Sequence, residues 1–142
     1  KEYRYEICFG RTQLPRHRFY SWFVPYLLNV NLMRQALPFL TGTHNFAAFC
    51  NRRKNSHYIN HIRTIQFLEI HEAGERRLSL RIRGNHFLYK MVRNIVGTLT
   101  DIGKGTLLLK QLPTILLAED RAQGGVTAPA HGLSLHQVFY PH

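Results

Sequence analysis

Acidic side chains are scarce in this chain. Eight Asp and Glu stand against 19 Lys and Arg in 142 residues, a formal net charge of +11. The acids are Glu2, Glu6, Glu69, Glu72, Glu75, Asp101, Glu119 and Asp120, and no two of them are spaced for paired general acid–base work. Cysteine is nearly absent. Cys8 and Cys50 are too few for a disulfide scaffold and point to a reducing compartment, with a cytoplasmic location expected. No apolar run approaches the roughly 18–20 residues that a membrane span needs, so no membrane partner is expected. The first residues, Lys1-Glu2-Tyr3-Arg4-Tyr5, do not read as a signal peptide. There is no Gly-x-x-x-x-Gly-Lys phosphate loop and no Gly-x-Ser-x-Gly nucleophile elbow. Cys50, His57 and His61 are too few and too loosely spaced for zinc, and no metal site is expected.

What is present is a globular composition with a basic surplus. The chain is 44% hydrophobic and 12% aromatic, enough to build one packed domain. Arg supplies 14 of the 19 cations, and Arg52-Arg53-Lys54 form a knot. Arginine suits bidentate phosphate contacts and stacking on bases. A surplus of this size favours a polyanionic partner, most often nucleic acid. No basic amphipathic helix favours a membrane surface instead.

Periodicity predicts the elements. Tyr3, Tyr5, Ile7 and Phe9 alternate with Arg4, Glu6 and Cys8, the period of a strand. The chain has no starting Met and opens mid-strand, so a piece of a longer protein is expected. Phe19–Val24 reads as a second strand, and Asn29 or Asn31 caps a helix to about Leu40. Ile62–His71 and Arg77–Arg83 form a hairpin across Glu72–Glu75. In its second arm Leu78, Leu80 and Ile82 face one way, and Arg77, Ser79, Arg81 and Arg83 the other. Asn85 is expected to cap a helix to about Ile102, with Leu88, Val92, Ile95 and Leu99 as its apolar stripe and Gly103 and Gly105 ending it. A shorter helix follows near Leu109–Ala118, and Leu135–Tyr140 is a last strand. The fold class is α+β, an antiparallel sheet with helices packed on one face.

Two motifs need weighing. Arg83-Gly84-Asn85-His86-Phe87-Leu88-Tyr89 partly mimics an RNA-recognition strand, but Asn85 and His86 break it. On the long helix, His86, Lys90, Arg93 and Gly97 fall on one side at offsets of four, three and four. That side is either a solvated face or one where the glycine admits something close and Arg93 meets a carboxylate or phosphate.

Five strings then occur in order: Tyr3-Arg4-Tyr5, Gly42-Thr43-His44-Asn45-Phe46, Arg63-Thr64-Ile65, the run from Gly84 to Gly97 with Met91-Val92-Arg93-Asn94-Ile95-Val96-Gly97, and Ala128-Pro129-Ala130-His131-Gly132-Leu133. Together they resemble the C-terminal half of the TruA family of tRNA pseudouridine synthases, over nearly the whole chain. The resemblance implies an isomerase that converts uridines at positions 38 to 40 of the tRNA anticodon arm to pseudouridine. It further implies that no cofactor is needed, that the enzyme is a homodimer, and that the active cleft lies between two related α+β halves. The family's nucleophilic Asp, in an Arg-Thr-Asp-x-Gly-Val-His motif, belongs to the N-terminal half and is not in this sequence. The partners so implied are tRNA, the protein's own N-terminal domain and a second copy. By itself this half is expected to be inactive.

The resemblance also assigns roles. Tyr3 matches the Tyr that stacks on the target uracil and helps remove its C5 proton. Arg93 matches the Arg that pairs with the nucleophilic Asp. Leu133 matches the apolar residue against the flipped base. RNA binding would fall to Arg52, Arg53 and Lys54, with Arg16, Arg18, Arg81 and Arg83 as further candidates. Three positions depart from the family pattern: Asn45 where Asp is usual, His86 where Gly is common, and Lys90 where Arg is common. A stand-alone, non-catalytic RNA-binding module is the alternative, whereas a DNA-binding domain lacks any helix-turn-helix or basic zipper.

The basic surplus generates a first prediction. The chain should bind tRNA with a steep dependence on salt, each phosphate contact adding about 0.7–0.9 to the log–log slope. Replacing Arg52, Arg53 and Lys54 with Ala should lower that slope. A wild-type slope near zero would contradict the reading.

Overall fold

A computed structural model describes residues 1–10, 20–51, 58 and 60–137. Arg16, Arg18, Arg52, Arg53, Lys54 and His57 lie outside the described residues. The element order is β1 (Glu2–Phe9), β2 (Trp22–Val24), α1 (Val30–Leu40), β3 (Gly42–Asn45), β4 (Ile62–Gly74), β5 (Arg77–Gly84), α2 (Met91–Lys104), α3 (Leu112–Ala118) and β6 (Leu133–Gln137). The strands form one sheet in the order β2-β1-β5-β4-β3, with β6 also pairing β1. The expected α+β class holds. The sheet is mixed rather than purely antiparallel, because β1 and β2 run parallel through Ile7↔Trp22, Cys8↔Phe23 and Phe9↔Val24. One edge of β1 is therefore shared, by β6 along residues 2–5 and by β2 along residues 7–9.

The core lies on one side of the sheet. Tyr5 and Ile7 of β1 and Leu78, Leu80 and Ile82 of β5 are all at most 3% exposed. Alternation dictates this, since every second side chain of a strand reaches the same face. In β4 the parity breaks: the register slips between Ile65 and Phe67, so Ile65 and Leu68 both reach the core although they are three residues apart. Helix α1 starts at the Asn29 cap, whose side chain accepts from the Leu32 N–H at 3.1 Å. It buries Met33, Ala36 and Leu40. Helix α2 buries Ile95, Leu99 and Ile102 and ends on Gly105, whose φ of 87° places its N–H on the Asp101 and Ile102 carbonyls.

The start of α2 differs from the sequence expectation. The helix begins at Met91, not at Asn85. Lys90 adopts a left-handed conformation (φ 60°, ψ 15°), and a helix cannot run through such a residue. The Asn85 side-chain Oδ1 instead accepts from the Thr64 and His86 N–H groups and shapes a loop. His86 therefore does not share a helix face with Arg93. Leu88 is still buried, because a turn hydrogen bond from Met91 N–H to its carbonyl folds it inward. The last strand also starts earlier than expected, at Leu133.

The outer face of the sheet is not simply basic. Glu2 is fully buried there, at 0% exposure. Arg81 and Arg83 each place two nitrogens on one of its oxygens, at 3.0–3.3 Å and 2.9–3.2 Å. Both guanidiniums also lie against the Phe67 ring, 5.7 and 5.1 Å from its centroid. The cross-strand pairs Glu2↔Arg83 and Arg4↔Arg81 put the three side chains together. Arg81 and Arg83 thus serve a carboxylate of their own chain.

Burial opposes ionisation of Glu2, but the hydrogen bonds and charges of Arg81 and Arg83 outweigh it and hold the carboxyl below its ordinary value. A carboxyl with a depressed folded pKa adds stability above the ordinary carboxylate range and loses it as pH falls through the folded value. The Glu2 contribution to stability should therefore be constant above about pH 5 and be lost on acidification below about pH 4.3, the unperturbed Glu value. Glu2→Gln should cost about 1–3 kcal/mol near neutrality and remove part of the acid slope. Urea unfolding across that range checks this; identical slopes in both proteins would exclude Glu2 as the source.

Candidate active site

Tyr3, Arg93 and Leu133 come from β1, α2 and β6, 90 and 40 residues apart in sequence. The fold brings all three to the wall of one cavity of about 100 Å³, which Phe87, Leu88, Lys90, Met91 and Val92 complete. The lining is apolar except for the Tyr3 hydroxyl and two cations, Lys90 and Arg93, and it contains no acid.

Each of the three side chains is placed by a local cause. Tyr3 lies on the core-facing side of β1, two residues before the fully packed Tyr5, and remains half-buried at the strand's end. The Phe87 ring meets it edge to face, with centroids 5.3 Å apart and planes at 81°. Leu133 opens β6 directly after a single 3-10 turn, Ala130–Gly132. Gly132 lets that turn press on the sheet, since a Cβ there would fall 2.7 Å from the Tyr5 ring and 3.0 Å from the Glu6 carbonyl.

Arg93 is fixed by a reciprocal pair. Its Nε–H donates to the Ala128 carbonyl at 2.7 Å, and the Ala128 N–H donates to the Arg93 carbonyl at 3.1 Å. Among the described residues no other hydrogen bond holds the guanidinium, so its terminal nitrogens stay available in the cavity. Next to it the Tyr5 hydroxyl donates to the Pro129 carbonyl at 2.5 Å. Burial pushes the Tyr5 phenol far up, opposed in part by the Arg93 charge. Tyr5 therefore stays protonated and acts as a clamp on the Ala128–Leu133 segment, not as an acid or base.

Neither reading of the polar side of α2 foresaw what covers it. A strap formed by residues 121–128 lies across it. Asn94, fully buried, donates to the Phe49 carbonyl and to Asn51 Oδ1 and accepts from Thr127 and Arg121. Arg121 also donates to Asn51 Oδ1 at 3.0 Å, a half-buried cation satisfied by neutral acceptors. Thr98 Oγ1 accepts from the Gly125 N–H, and Asp101 from the Val126 N–H. The close approach allowed by Gly97 is that of the strap itself: a Cβ would lie 1.6 Å from the Val126 carbonyl oxygen.

The remaining candidates divide. Asp101 serves the strap, and Asp120 accepts from the Ala122 N–H at 3.0 Å; neither lines the cavity. Arg52, Arg53 and Lys54 are not described, but the residues on either side of that stretch are. The Asn51 N–H donates to the Tyr89 carbonyl at 3.2 Å, and the Tyr89 N–H donates to the Tyr58 hydroxyl at 2.9 Å. Asn51 and Tyr58 are thereby tied to Tyr89, the residue before Lys90. Sequence reasoning missed Phe87 and Tyr5 as supports. Tyr5 stands in the Tyr3-Arg4-Tyr5 string and Phe87 in the run from Gly84 to Gly97, but neither string says which residues they meet. No helix among the described residues is long and apolar enough to cross a membrane.

The strap crossing generates a prediction. Gly97→Ala should destabilise by about 2 kcal/mol or more, because backbone rather than a flexible side chain blocks the methyl group. That corresponds to a fall of roughly 5–15 °C in Tm. An unchanged Tm would mean that the strap lies farther from α2 than this geometry has it.

Residues 36–141 match a family described as tRNA pseudouridine synthase. The chain is 53% identical over 140 residues to tRNA pseudouridine synthase A 2 of Protochlamydia amoebophila, covering 99% of this chain and 53% of that protein. It is 45% identical over 141 residues to tRNA pseudouridine synthase A of Chlamydia trachomatis serovar L2b, covering 99% of this chain and 52% of that protein. Against tRNA pseudouridine synthase A of Exiguobacterium sibiricum it is 43% identical over 141 residues, with 99% and 55% covered. The chain spans about half the length of the curated relatives it matches. With a family match over most of its residues, the chain belongs to the tRNA pseudouridine synthase family.

Proposed function

We propose that this chain supplies one wall of the active site of a tRNA pseudouridine synthase, and that the nucleophilic Asp is carried by an N-terminal domain outside this sequence. The observation that carries the reading is the convergence of Tyr3, Arg93 and Leu133 on one small apolar cavity with two cations and no acid. A site of this kind lacks one thing, a carboxylate opposite Arg93. The substrate is a uridine of the tRNA anticodon arm, at positions 38 to 40. The enzyme works as a homodimer in the cytoplasm and needs no cofactor.

The chemistry is the one the family resemblance implies, assigned to the residues of this cavity. The target nucleotide leaves its stack and its base enters the cavity, a step that costs unstacking energy and is offset by contact with Tyr3 and the apolar wall. The incoming Asp acts at the sugar C1′ while the N1–C1′ bond breaks; direct attack and a glycal route both fit. The detached uracil turns and is rejoined through C5, and the C5 proton is lost as the N1 position regains one. The reaction is an isomerisation, with no net gain or loss of atoms. In this reading Tyr3, whose ring meets Phe87 edge to face, stacks on the uracil and helps take the C5 proton. Leu133, Met91 and Val92 keep water from the open intermediate. Arg93 holds the Asp ionised and aimed. Because its Nε–H is already spent on Ala128, the two terminal nitrogens are the ones offered to the carboxylate.

The test is Arg93 in the full-length enzyme. Arg93→Ala should slow single-turnover pseudouridine formation by about a hundredfold or more, several kcal/mol in the barrier, because the buried Asp loses its partner. Arg93→Lys keeps the charge, loses the planar fork, and should recover only part of the rate. Affinity for tRNA should change little. A single-turnover rate within about threefold of wild type would refute the cleft role.

A further inference from the structure

The reading above uses Tyr3, Arg93 and Leu133 and leaves one charged residue of the cavity without a task. Lys90 lines the same wall as Arg93. Its backbone sits at φ 60° and ψ 15°, a conformation that L side chains seldom adopt, and its side chain makes no capping hydrogen bond. No acid of this chain forms an ion pair with it among the described residues. None is close in sequence either: between Glu75 and Asp101 there is no Asp or Glu. Its ammonium rests instead on the face of the neighbouring Tyr89 ring, 5.4 Å from the centroid. That contact restrains the cation and leaves its hydrogen-bond donors unspent.

The charges of the cavity then add up to one cation too many. In the proposed enzyme a single carboxylate enters and is matched by Arg93. Lys90 remains as a second positive charge at the same opening. A nucleotide whose base occupies a cavity of about 100 Å³ keeps its sugar and phosphates at the mouth. Lysine suits that task, because a compact ammonium with three swivelling donors meets a phosphate oxygen as a point charge without demanding a fixed plane. Tyr89, which steadies the ammonium, is itself held by hydrogen bonds to Asn51 and Tyr58.

We propose that Lys90 is a substrate-binding residue whose ligand is a phosphodiester of the RNA strand, next to the uridine that enters the cavity. This rests on the pseudouridine synthase reading of that cavity. Lys90 grips the backbone while the base is detached from its sugar, so that the strand stays in place as the uracil turns. Its left-handed backbone, which glycine would adopt with less strain, is retained because the position needs a cation in the cavity.

The test uses the full-length enzyme with Lys90→Met, which keeps the length of the side chain and removes the charge, and Lys90→Gly, which also relieves the backbone. Affinity for unmodified tRNA is measured over a salt series from about 50 to 200 mM. Both variants should lower the log–log slope by about 0.7–0.9, one phosphate contact, and weaken binding about three- to tenfold at the low-salt end. Lys90→Gly should keep or raise Tm, so that its loss of binding cannot come from unfolding. Lys90→Arg should restore the slope. An unchanged slope in both uncharged variants overturns the proposal. So does an unchanged slope together with a lower Tm of Lys90→Met, which would make the ligand of Lys90 a protein carboxylate. If the wild-type enzyme forms no pseudouridine, the function assigned above fails, while the salt slopes still report whether Lys90 meets a phosphate.

Discussion

The cavity depends on how closely the 121–128 strap can lie on α2. At Gly97 there is room for backbone and for nothing else, and a single Cβ would sit 1.6 Å from the Val126 carbonyl oxygen. That proximity lets Ala128 exchange two hydrogen bonds with Arg93, one from the backbone and one from the guanidinium. It also delivers Pro129 to the Tyr5 hydroxyl and Leu133 to the start of β6, opposite Tyr5 in the β1 register. Three segments distant in sequence are thereby fastened at one point. The polar atoms used on the way are satisfied within the protein, chiefly through Asn94, Thr98, Arg121 and Thr127, as buried polar groups must be.

An arginine anchored in this way differs from one on a free helix face. A long side chain loses much rotamer freedom when it binds a ligand, and here the Nε–H···O bond to Ala128 has already removed part of that freedom. The other charged cluster of the molecule, Glu2 with Arg81 and Arg83, is built on a different principle. There two guanidiniums and one carboxylate close on each other, and the outcome is sheet cohesion between β1 and β5. At the cavity the acid is missing from the chain. The contrast separates a structural arginine from one left open to a partner.

Much of the fold was legible from local pattern. The β5 alternation, the Asn29 cap and the glycine that ends α2 all follow from rules that act over a few residues, whereas the hairpin expected across Glu72–Glu75 turns later, because β4 runs on to Gly74. The start of α2 was not legible, because the left-handed Lys90 overrides a good helical period running from Leu88. The bulge at Gln66 and the burial of Glu2 were not legible either. The first depends on cross-strand register, and the second on arginines 79 and 81 residues away. For the site, spacing left Arg93 undecided between a solvated face and a ligand contact. Tyr3 and Leu133 had no signal apart from family resemblance, since a Tyr in a strand and a Leu after a Gly are ordinary core residues. Their meeting with Phe87 and Lys90 in one cavity is a property of the tertiary fold.

The most direct measurement is a crystal structure of the full-length enzyme with bound tRNA. The arrangement described here predicts the extruded uracil in contact with Tyr3 and Leu133. It also predicts the terminal nitrogens of Arg93 within about 3 Å of a carboxylate from the other half, at charge-assisted hydrogen-bond distance. A uracil lodged elsewhere, or an Arg93 that turns away from the cavity toward solvent, would contradict it.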